Sequence, residues 1–370
     1  MLLMPILVIS CRKPTAPIHE SPYILWERTN GKELADEALS VQETSDRGYI
    51  IAGYTTLGYR NTDVYLIKVS KYGQLLWEKI YGGMKGDKGI SVYETSDSGF
   101  IITGYTASFG PGSYNVYLIK TNKNGDTLWT KAFGGVSYDE GKSVLQTIDG
   151  GYIIAGFTES FGSGDSDIYL IKTDEDGNLL WEKTYGGTYR DKGMSIQQTL
   201  DGGYIIAGIT DSFPGFNTDI CLIKTDENGD ILWERIYGRE YFDWCHTVQL
   251  TSDGGYIISG LTCLDSSGLG DVWLLKTDKN GDTLWTKTYG GLDAEDGYSV
   301  QQSFDGGFLI GGYTSYYCYL IKTDQLGDTL WTEILKPGMI KSIQKTSDYA
   351  YIAVGWTSGK NKDVYIVKIR

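Results

Sequence analysis

Histidine is scarce in this chain, whose 370 residues include only His19 and His246. Histidine is the commonest general acid or base, and the sequence shows no nucleophile with a partner base. The five cysteines form no CxxC pair, so their spacing excludes zinc ribbons and thioredoxin-type redox motifs. Glycine motifs that bind phosphates or dinucleotides ahead of a helix are also missing. No catalytic residue or cofactor is therefore predicted, apart from a possible calcium ion considered below.

Positive charge is scarce as well. The chain has 33 Lys and Arg against 47 Asp and Glu, which gives a formal net charge of −14. Proteins that bind nucleic acids need clustered basic residues that displace counterions from the phosphates. The composition therefore argues against a nucleic-acid partner. Cations or basic partners fit this charge better, and an acidic surface also keeps a protein soluble.

Long apolar runs are missing, except for MLLMPILVISC at residues 1–11. Its nine-residue apolar core is shorter than the roughly 20 residues that span a bilayer, but it suits a secretory signal. Val8-Ile9-Ser10-Cys11 resembles the lipobox of bacterial lipoproteins, which implies cleavage before Cys11 and lipidation of that residue. Such signals normally begin with a basic residue, and the first one here is Arg12. We expect residues 1–22 to be a signal and tether, and residues 23–370 to be the folded domain.

Repetition is what the chain has in abundance. The phrase DGGYIIAG occurs at residues 149–156 and again at 201–208. A Leu-Trp pair and a lysine that ends YLIK-like segments each recur seven times, mostly at intervals of 52 residues. The tryptophans are Trp26, Trp77, Trp129, Trp181, Trp233, Trp285 and Trp331. Periods of this length are typical of solenoids, propellers and arrays.

One unit decides among these architectures. Residues 193–237 contain four segments rich in Ile, Tyr, Thr and Trp, joined in pairs by Leu-Asp-Gly and Glu-Asn-Gly turns. Seven such units predict an all-β fold, a seven-bladed β-propeller with four-stranded antiparallel blades. The chain ends on a third strand, DVYIVKIR, and YILWERTN at residues 23–30 resembles the missing fourth. We therefore expect the N-terminal strand to complete the last blade and close the ring.

The repeat resembles the bacterial SBBP-type β-propeller repeats. A strand such as GYIIAGYT (residues 48–55) precedes a strand such as DVYLIK (63–68), a turn and strand such as TDENGDILW (225–233), and then YGG (185–187). The resemblance covers residues 23–370 and implies an exported or envelope protein. That family has no agreed catalytic residues, so the resemblance assigns none here.

An acidic residue recurs four positions before the Ser or Thr of each first strand, except in the last unit, where Gly338 replaces it. Because first strands line a propeller's central channel, these carboxylates are expected to ring one mouth, where they could bind Ca²⁺. The alternative is that each accepts N–H hydrogen bonds from its own loop. The residues are Asp36, Asp87, Asp139, Asp191, Asp243 and Glu295.

Function is expected where the repeat breaks, which is mainly in the loops before the first strands of the third to fifth units. These segments carry Tyr138, Tyr189, Arg190, Tyr241, Phe242, Trp244 and His246. Exposed aromatic side chains in one patch favour stacking on sugar rings or anchoring a peptide. The alternative is that they pack on one another and stiffen their loops.

The sequence thus predicts an exported, monomeric, non-enzymatic propeller, attached to the membrane only through a lipid on Cys11. Its expected partner is a glycan or a protein at the cell envelope. The alternatives are a propeller enzyme of the polysaccharide lyase or hydrolase type on the same face, and a purely structural surface module. A carboxylate cluster or a Tyr–His–Arg cluster near the axis would favour the enzyme.

Overall fold

The computed structural model describes residues 22–32, 34–58, 61–212, 217–263, 269–359 and 361–370. These ranges contain twenty-seven β-strands, and no helix occurs in them. A segment that could cross a membrane as an apolar helix is likewise not found among these residues. Cys11 and the rest of the predicted signal lie outside the described residues. The all-β prediction is confirmed.

Twenty of the strands form five separate four-stranded antiparallel sheets, which we call blades. In chain order, their strands are β2 (Asp36–Glu43), β3 (Tyr49–Gly58), β4 (Asn61–Val69), β5 (Leu75–Tyr81); β6 (Asp87–Glu94), β7 (Phe100–Thr106), β8 (Asn115–Thr121), β9 (Thr127–Phe133); β10 (Asp139–Gln146), β11 (Tyr152–Thr158), β12 (Asp167–Thr173), β13 (Leu179–Tyr185); β14 (Asp191–Gln198), β15 (Tyr204–Thr210), β16 (Asp219–Thr225), β17 (Ile231–Tyr237); β18 (Asp243–Leu250), β19 (Tyr256–Cys263), β20 (Gly270–Thr277) and β21 (Thr283–Tyr289). Four-stranded antiparallel blades are therefore confirmed.

The other seven strands form one sheet in the order β1-β27-β26-β25-β24-β23-β22. They are β22 (Glu295–Gln302), β23 (Phe308–Thr314), β24 (Tyr317–Thr323), β25 (Thr329–Lys345), β26 (Tyr351–Ser358), β27 (Lys362–Ile369) and β1 (Ile24–Asn30). Strand β25 serves two groups, because its residues up to Pro337 pair with β24 and those from Gly338 pair with β26.

Strand β1 pairs antiparallel with β27, and Trp26 lies opposite Lys368. Backbone hydrogen bonds of 2.9 and 3.0 Å between Tyr23 and Arg370 extend this pairing. The first and last described segments of the chain therefore belong to the same sheet.

A lysine–aspartate pair joins the third strand of each blade to the turn after its first strand. In one blade the Lys172 ammonium lies 2.8 Å from Asp149, which also accepts hydrogen bonds from Thr147 Oγ1 and Gly151 N. The equivalent pairs are Lys68–Asp46, Lys120–Asp97, Lys224–Asp201, Lys276–Asp253, Lys322–Asp305 and Lys368–Asp348. The recurring lysine is buried and needs an anionic partner there, so its recurrence maintains the blade.

The residue after each of these aspartates occupies a tight turn. Gly150 has φ of 86°, and Arg47, Ser98 and Tyr349 adopt φ of 63°, 62° and 60° at the equivalent positions. Only glycine takes this left-handed conformation without steric cost. The first glycine of the repeated Asp-Gly-Gly phrase therefore suits the positive φ of this turn.

Outer-strand tryptophans pack against the next blade. The ring centroids of Trp181 and Tyr204 lie 6.4 Å apart, and those of Trp26 and Tyr49 lie 6.0 Å apart. A Cβ atom on Gly73 would lie 2.6 Å from the Trp26 ring, so this contact requires glycine. Strand β1 therefore packs on the β2–β5 blade as other outer strands pack on their neighbours, and apolar clusters fill the spaces between blades.

Candidate functional site

The first strands of the blades surround a central channel. Strands β2, β6, β10, β14, β18, β22 and the second part of β25 contact one another in that order, and β25 contacts β2. Serine hydroxyls link neighbouring first strands, because Ser40 Oγ accepts from Val92 N at 3.3 Å and Ser299 Oγ accepts from Ile343 N at 3.0 Å. The side chains that point inward from these strands therefore share one space.

One end of the channel opens into a cavity of about 820 Å³, which we call the axial funnel. Its lining residues are Glu37, Leu39, Tyr54, Lys88, Ile90, Tyr105, Tyr138, Glu140, Lys142, Met194, Phe242, Trp244, His246, Leu261, Asp296, Tyr298, Tyr313 and Lys341. Aromatic and charged side chains alternate with a few aliphatic ones. A cavity of this size fits a small ligand or a short oligomer segment.

The acidic residues predicted to ring the channel mouth do not line the funnel, so a calcium ring is contradicted and the alternative, an N–H hydrogen bond from each residue's own loop, describes them. Each is buried and accepts a hydrogen bond from the backbone N–H four residues earlier. Side chains alternate along a strand, so the next residue, such as Glu37 or Lys88, points into the funnel instead. Within the described ranges, no group of three or more His, Cys, Asp or Glu side chains could hold a metal ion. The residues concerned are Asp36, Asp87, Asp139, Asp191, Asp243 and Glu295.

The predicted aromatic patch is divided between two cavities. Four of its seven residues line the axial funnel, namely Tyr138, Phe242, Trp244 and His246. Tyr189, Arg190 and Phe242 line a neighbouring cavity of about 420 Å³. Tyr241 is half-buried and lines neither cavity. Phe242 is the residue that the two cavities share, and its contact with Trp244 connects them.

Arg190 is largely engaged by its own neighbours. Its Nε lies 3.0 Å from an Asp211 carboxylate oxygen, and its Nη2 donates to Thr218 Oγ1 at 3.2 Å. The guanidinium also lies 5.9 Å from the Trp244 ring centroid. These contacts hold the side chain between the two cavities and leave it fewer donors for a ligand.

Trp244 is half-buried, so the aromatic surface it offers is limited. Phe242 stacks against it with ring centroids 5.4 Å apart and an interplanar angle of 24°. Trp244 therefore packs against another aromatic side chain of its own segment, as one interpretation predicted. It also lines the funnel, where a ligand could contact it, as the other predicted.

Two lysines in the funnel have aromatic neighbours instead of anionic ones. The Lys88 ammonium lies 4.0 Å from the Tyr54 ring centroid, and the Lys341 ammonium lies 3.2 Å from that of Tyr298. Neither ammonium makes a hydrogen bond or an ion pair with any residue in the described part of the chain. Burial lowers the pKa of Lys88, and it lowers the pKa of Lys341 to about 8.

The funnel carboxylates, in contrast, already have partners. Glu37 lies 2.6 Å from Lys362, and Glu140 lies 2.5 Å from Lys142. Asp296 lies 2.8 Å from His246 Nε2. Lys88 and Lys341 thus lack a direct ion-pair partner among the described residues, although the charges of Glu37, Glu140 and Asp296 act on them from a greater distance.

Four titratable side chains meet on one side of the funnel. The His246 and Tyr298 ring centroids lie 4.3 Å apart. Lys341, on the neighbouring strand β25, packs on the Tyr298 ring. Burial, followed by the charge of Asp296, raises the pKa of Tyr298 well above its ordinary value. The sequence analysis identified His246 but missed Asp296, Tyr298 and Lys341.

A signal for the missed residues was present in the repeat. Tyr298 and Lys341 occupy the position three residues after the acidic series or its replacement, Gly338. Earlier units have Leu39, Ile90, Lys142 and Met194 there. Strand alternation places this position on the channel side. Following the channel-facing positions, rather than the loops, would have found these side chains.

Comparisons with known proteins support the fold. No family model matches the chain. The regulatory protein FlaEY of Caulobacter vibrioides is 27% identical over 176 residues, and the alignment covers 40% of this chain but only 18% of that protein. The Dos1 propeller aligns with a TM-score of 0.53 at 11% identity, covering 89% of this chain and 77% of that one. The Pan2 WD40 domain of Neurospora crassa gives 0.56 at 9% identity, covering 92% and 97%. The fold is a β-propeller.

Proposed function

We propose that this chain forms a closed seven-bladed ring whose axial funnel binds an acidic glycan. The pairing of β1 with β27 and the contact between β2 and β25 support the closed ring. The observation that carries the ligand proposal is the pair of desolvated ammonium groups, Lys88 and Lys341, that lack an anionic partner among the described residues.

The chemistry of the funnel favours an anion. Placing a cation in a partly dehydrated cavity costs free energy unless an opposite charge compensates it. Nearby aromatic faces supply only part of this compensation. A carboxylate or sulfate on a ligand would supply the rest, through charge-assisted hydrogen bonds to the two ammonium groups.

The aromatic lining favours a sugar over an acidic peptide. Tyrosine and tryptophan faces suit the C–H surfaces of pyranose rings, and Tyr54, Tyr105, Trp244 and Tyr313 all line the funnel. An acidic glycan, such as a chain of uronic acids, combines flat rings with regularly spaced carboxylates. A peptide rich in Asp or Glu would match the charge without matching the aromatic faces.

The binding proposal is tested by titration calorimetry with a short oligogalacturonate. Wild type should bind, and Lys341→Met should bind at least about tenfold more weakly, because a hydrogen bond to a charged group contributes about 1.5–3 kcal/mol. Lys71→Met is the matched control, since Lys71 is exposed and also packs on a tyrosine, Tyr72, at 4.9 Å.

A neutral glucan of equal length and a polyglutamate peptide complete the experiment. The neutral sugar should bind far more weakly than the uronate. Equal affinity of wild type and Lys341→Met for the uronate would contradict the proposal. Binding of polyglutamate without binding of the uronate would replace the glycan with a peptide as partner.

We further propose that the protein is an exported lipoprotein of the SBBP type, anchored at the cell envelope through Cys11. The support is the lipobox-like Val8-Ile9-Ser10-Cys11 segment, together with the repeat pattern. Cys11→Ser should release the full-length protein from membranes of a bacterial host without changing its melting temperature. Wild type that fractionates as soluble and carries no lipid would refute the anchor.

A further inference from the structure

One side of the axial funnel carries titratable residues at three adjacent positions of the repeat. His246, Tyr298 and Lys341 lie at the same position of three successive first strands, β18, β22 and β25. The corresponding residues of β2, β6 and β14 are aliphatic or methionine, and that of β10 is Lys142. Titratable groups have therefore replaced apolar ones at neighbouring positions, where blade stability does not require them.

Asp296 fixes the imidazole of His246. Its carboxylate lies 2.8 Å from Nε2 and is almost completely buried. A buried carboxylate at this distance favours the tautomer that carries its proton on Nε2, which leaves Nδ1 as a proton acceptor. His246 also contacts Tyr298, whose ring lies between the imidazole and the Lys341 ammonium. An acceptor, a neutral phenol donor and a cation thus adjoin one another in the funnel.

We propose that this side of the funnel cleaves its acidic glycan by β-elimination, with His246 as base, Tyr298 as acid and Lys341 as the carboxylate anchor. The inference rests on the proposed function, since it requires a uronic acid bound in the funnel. Asp296 is a positioning residue that acts through His246. The substrate class is a 1,4-linked polyuronate, whose carboxylate makes the neighbouring C5 proton acidic.

The proton and electron balance closes without a cofactor. Lys341 pairs with the carboxylate at C5, so negative charge that develops there is stabilised. His246 Nδ1 removes the C5 proton, and the electrons of the C5–H bond form the C4–C5 double bond as the C4–O bond breaks. The leaving glycosidic oxygen takes the proton of the Tyr298 hydroxyl. Transfer of the proton from His246 to the phenolate restores both residues, and no water is consumed.

The test uses the full chain with polygalacturonate and with alginate. Elimination produces an unsaturated uronate, which is followed by its ultraviolet absorbance, and mass spectrometry should show product masses that sum to the substrate mass. Tyr298→Phe should bind the oligosaccharide within about twofold of wild type while its turnover falls at least about a hundredfold, as expected when a general acid is removed. Asp296→Asn should shift the pH–rate profile as well as lower the rate.

Each remaining outcome overturns the inference in a distinguishable way. Tight binding of the uronate without unsaturated product refutes the elimination and leaves the binding proposal standing. Products whose summed mass includes one added water identify a hydrolase instead. Turnover of Tyr298→Phe at the wild-type rate refutes the role of that residue. Neither binding nor product with either polymer overturns both proposals together.

Discussion

At the scale of single residues, the lowered pKa of Lys341 links the structure of the funnel to the proposed ligand. Loss of hydration in the funnel lowers its pKa from 10.5 to about 8, although Asp296 and Glu37 act in the opposite direction. The charges of Lys362 and Lys142 lower it further. The ammonium therefore lies in a place that disfavours its charge, and an anionic ligand would reverse that balance.

Ligand binding should depend on this titration. A bound carboxylate favours the protonated lysine, so affinity for oligogalacturonate should be constant below about pH 7 and should fall as the pH rises through about 8. Calorimetry across this range checks the prediction, with Lys341→Met showing no such fall. A wild-type affinity that stays level up to pH 10 would contradict it.

Folding stability should depend on pH in the opposite direction from ligand affinity. Because the folded pKa lies below that of the unfolded chain, the unfolded state binds more protons between about pH 8 and 10.5. Wild type should therefore gain stability relative to Lys341→Met as the pH rises across this window. The same measurement shows whether the substitution leaves the ring intact.

The paired lysines show the contrasting case. Desolvation alone would raise the pKa of Asp97, but hydrogen bonds from Lys120, Thr95 and the Gly99 backbone outweigh it and lower the pKa to about 2. Such clamps occur in every blade, whereas an ammonium without a carboxylate partner lines the funnel. That difference separates lysines that stabilise blades from those available to a ligand.

At the scale of elements, β1 is the strand on which the proposed ring closure depends. Removing residues 22–30 exposes the edge of β27, and an unpaired edge promotes aggregation. The truncated protein should melt at a lower temperature and aggregate on heating. An unchanged melting temperature would mean that β1 does not close the ring.

Trp26→Ala tests the same element with a smaller change. The ring is partly buried between β1 and the β2–β5 blade, so its loss should cost about 2–3 kcal/mol, less than for a fully buried tryptophan. Tyr23→Ala is a suitable control because Tyr23 is 72% exposed. Chemical denaturation of both variants checks the difference.

Strand alternation explains which element-level predictions succeeded. The strands, their antiparallel pairing and their turns followed from repeated residues such as Asp149 and Gly150, whose local requirements are visible in the sequence. The sequence did not predict toward which side the Asp87 side chain points, because a polar residue at a strand end can face either solvent or its own loop. The Asp87 carboxylate accepts a hydrogen bond from Gly83 N, which turns it toward its own loop, and Lys88 faces the channel instead.

At the scale of the whole molecule, the ring brings together residues that are distant in the chain. Lys88 and Lys341 are separated by more than half of the sequence, yet both line the funnel. The repeat predicted the propeller, but single-sequence reasoning placed the site in the loops of consecutive units. It could not find an inner surface formed by first strands that are distant in the sequence.

The asymmetry of the ring agrees with the division of roles proposed here. The funnel side formed by β18, β22 and β25 carries His246, Asp296, Tyr298 and Lys341. The other first strands contribute lysines and glutamates together with apolar residues, namely Glu37, Leu39, Lys88, Ile90, Glu140, Lys142 and Met194. A purely structural module would have no evident need for this difference.

A crystal structure of the protein with a short oligogalacturonate tests this central claim most directly. We predict that the sugar lies in the axial funnel, with a carboxylate within hydrogen-bonding distance of Lys341 Nζ and a pyranose ring against the aromatic lining. Electron density for the ligand only in the neighbouring cavity beside Arg190, or an empty funnel at saturating ligand, would contradict the account.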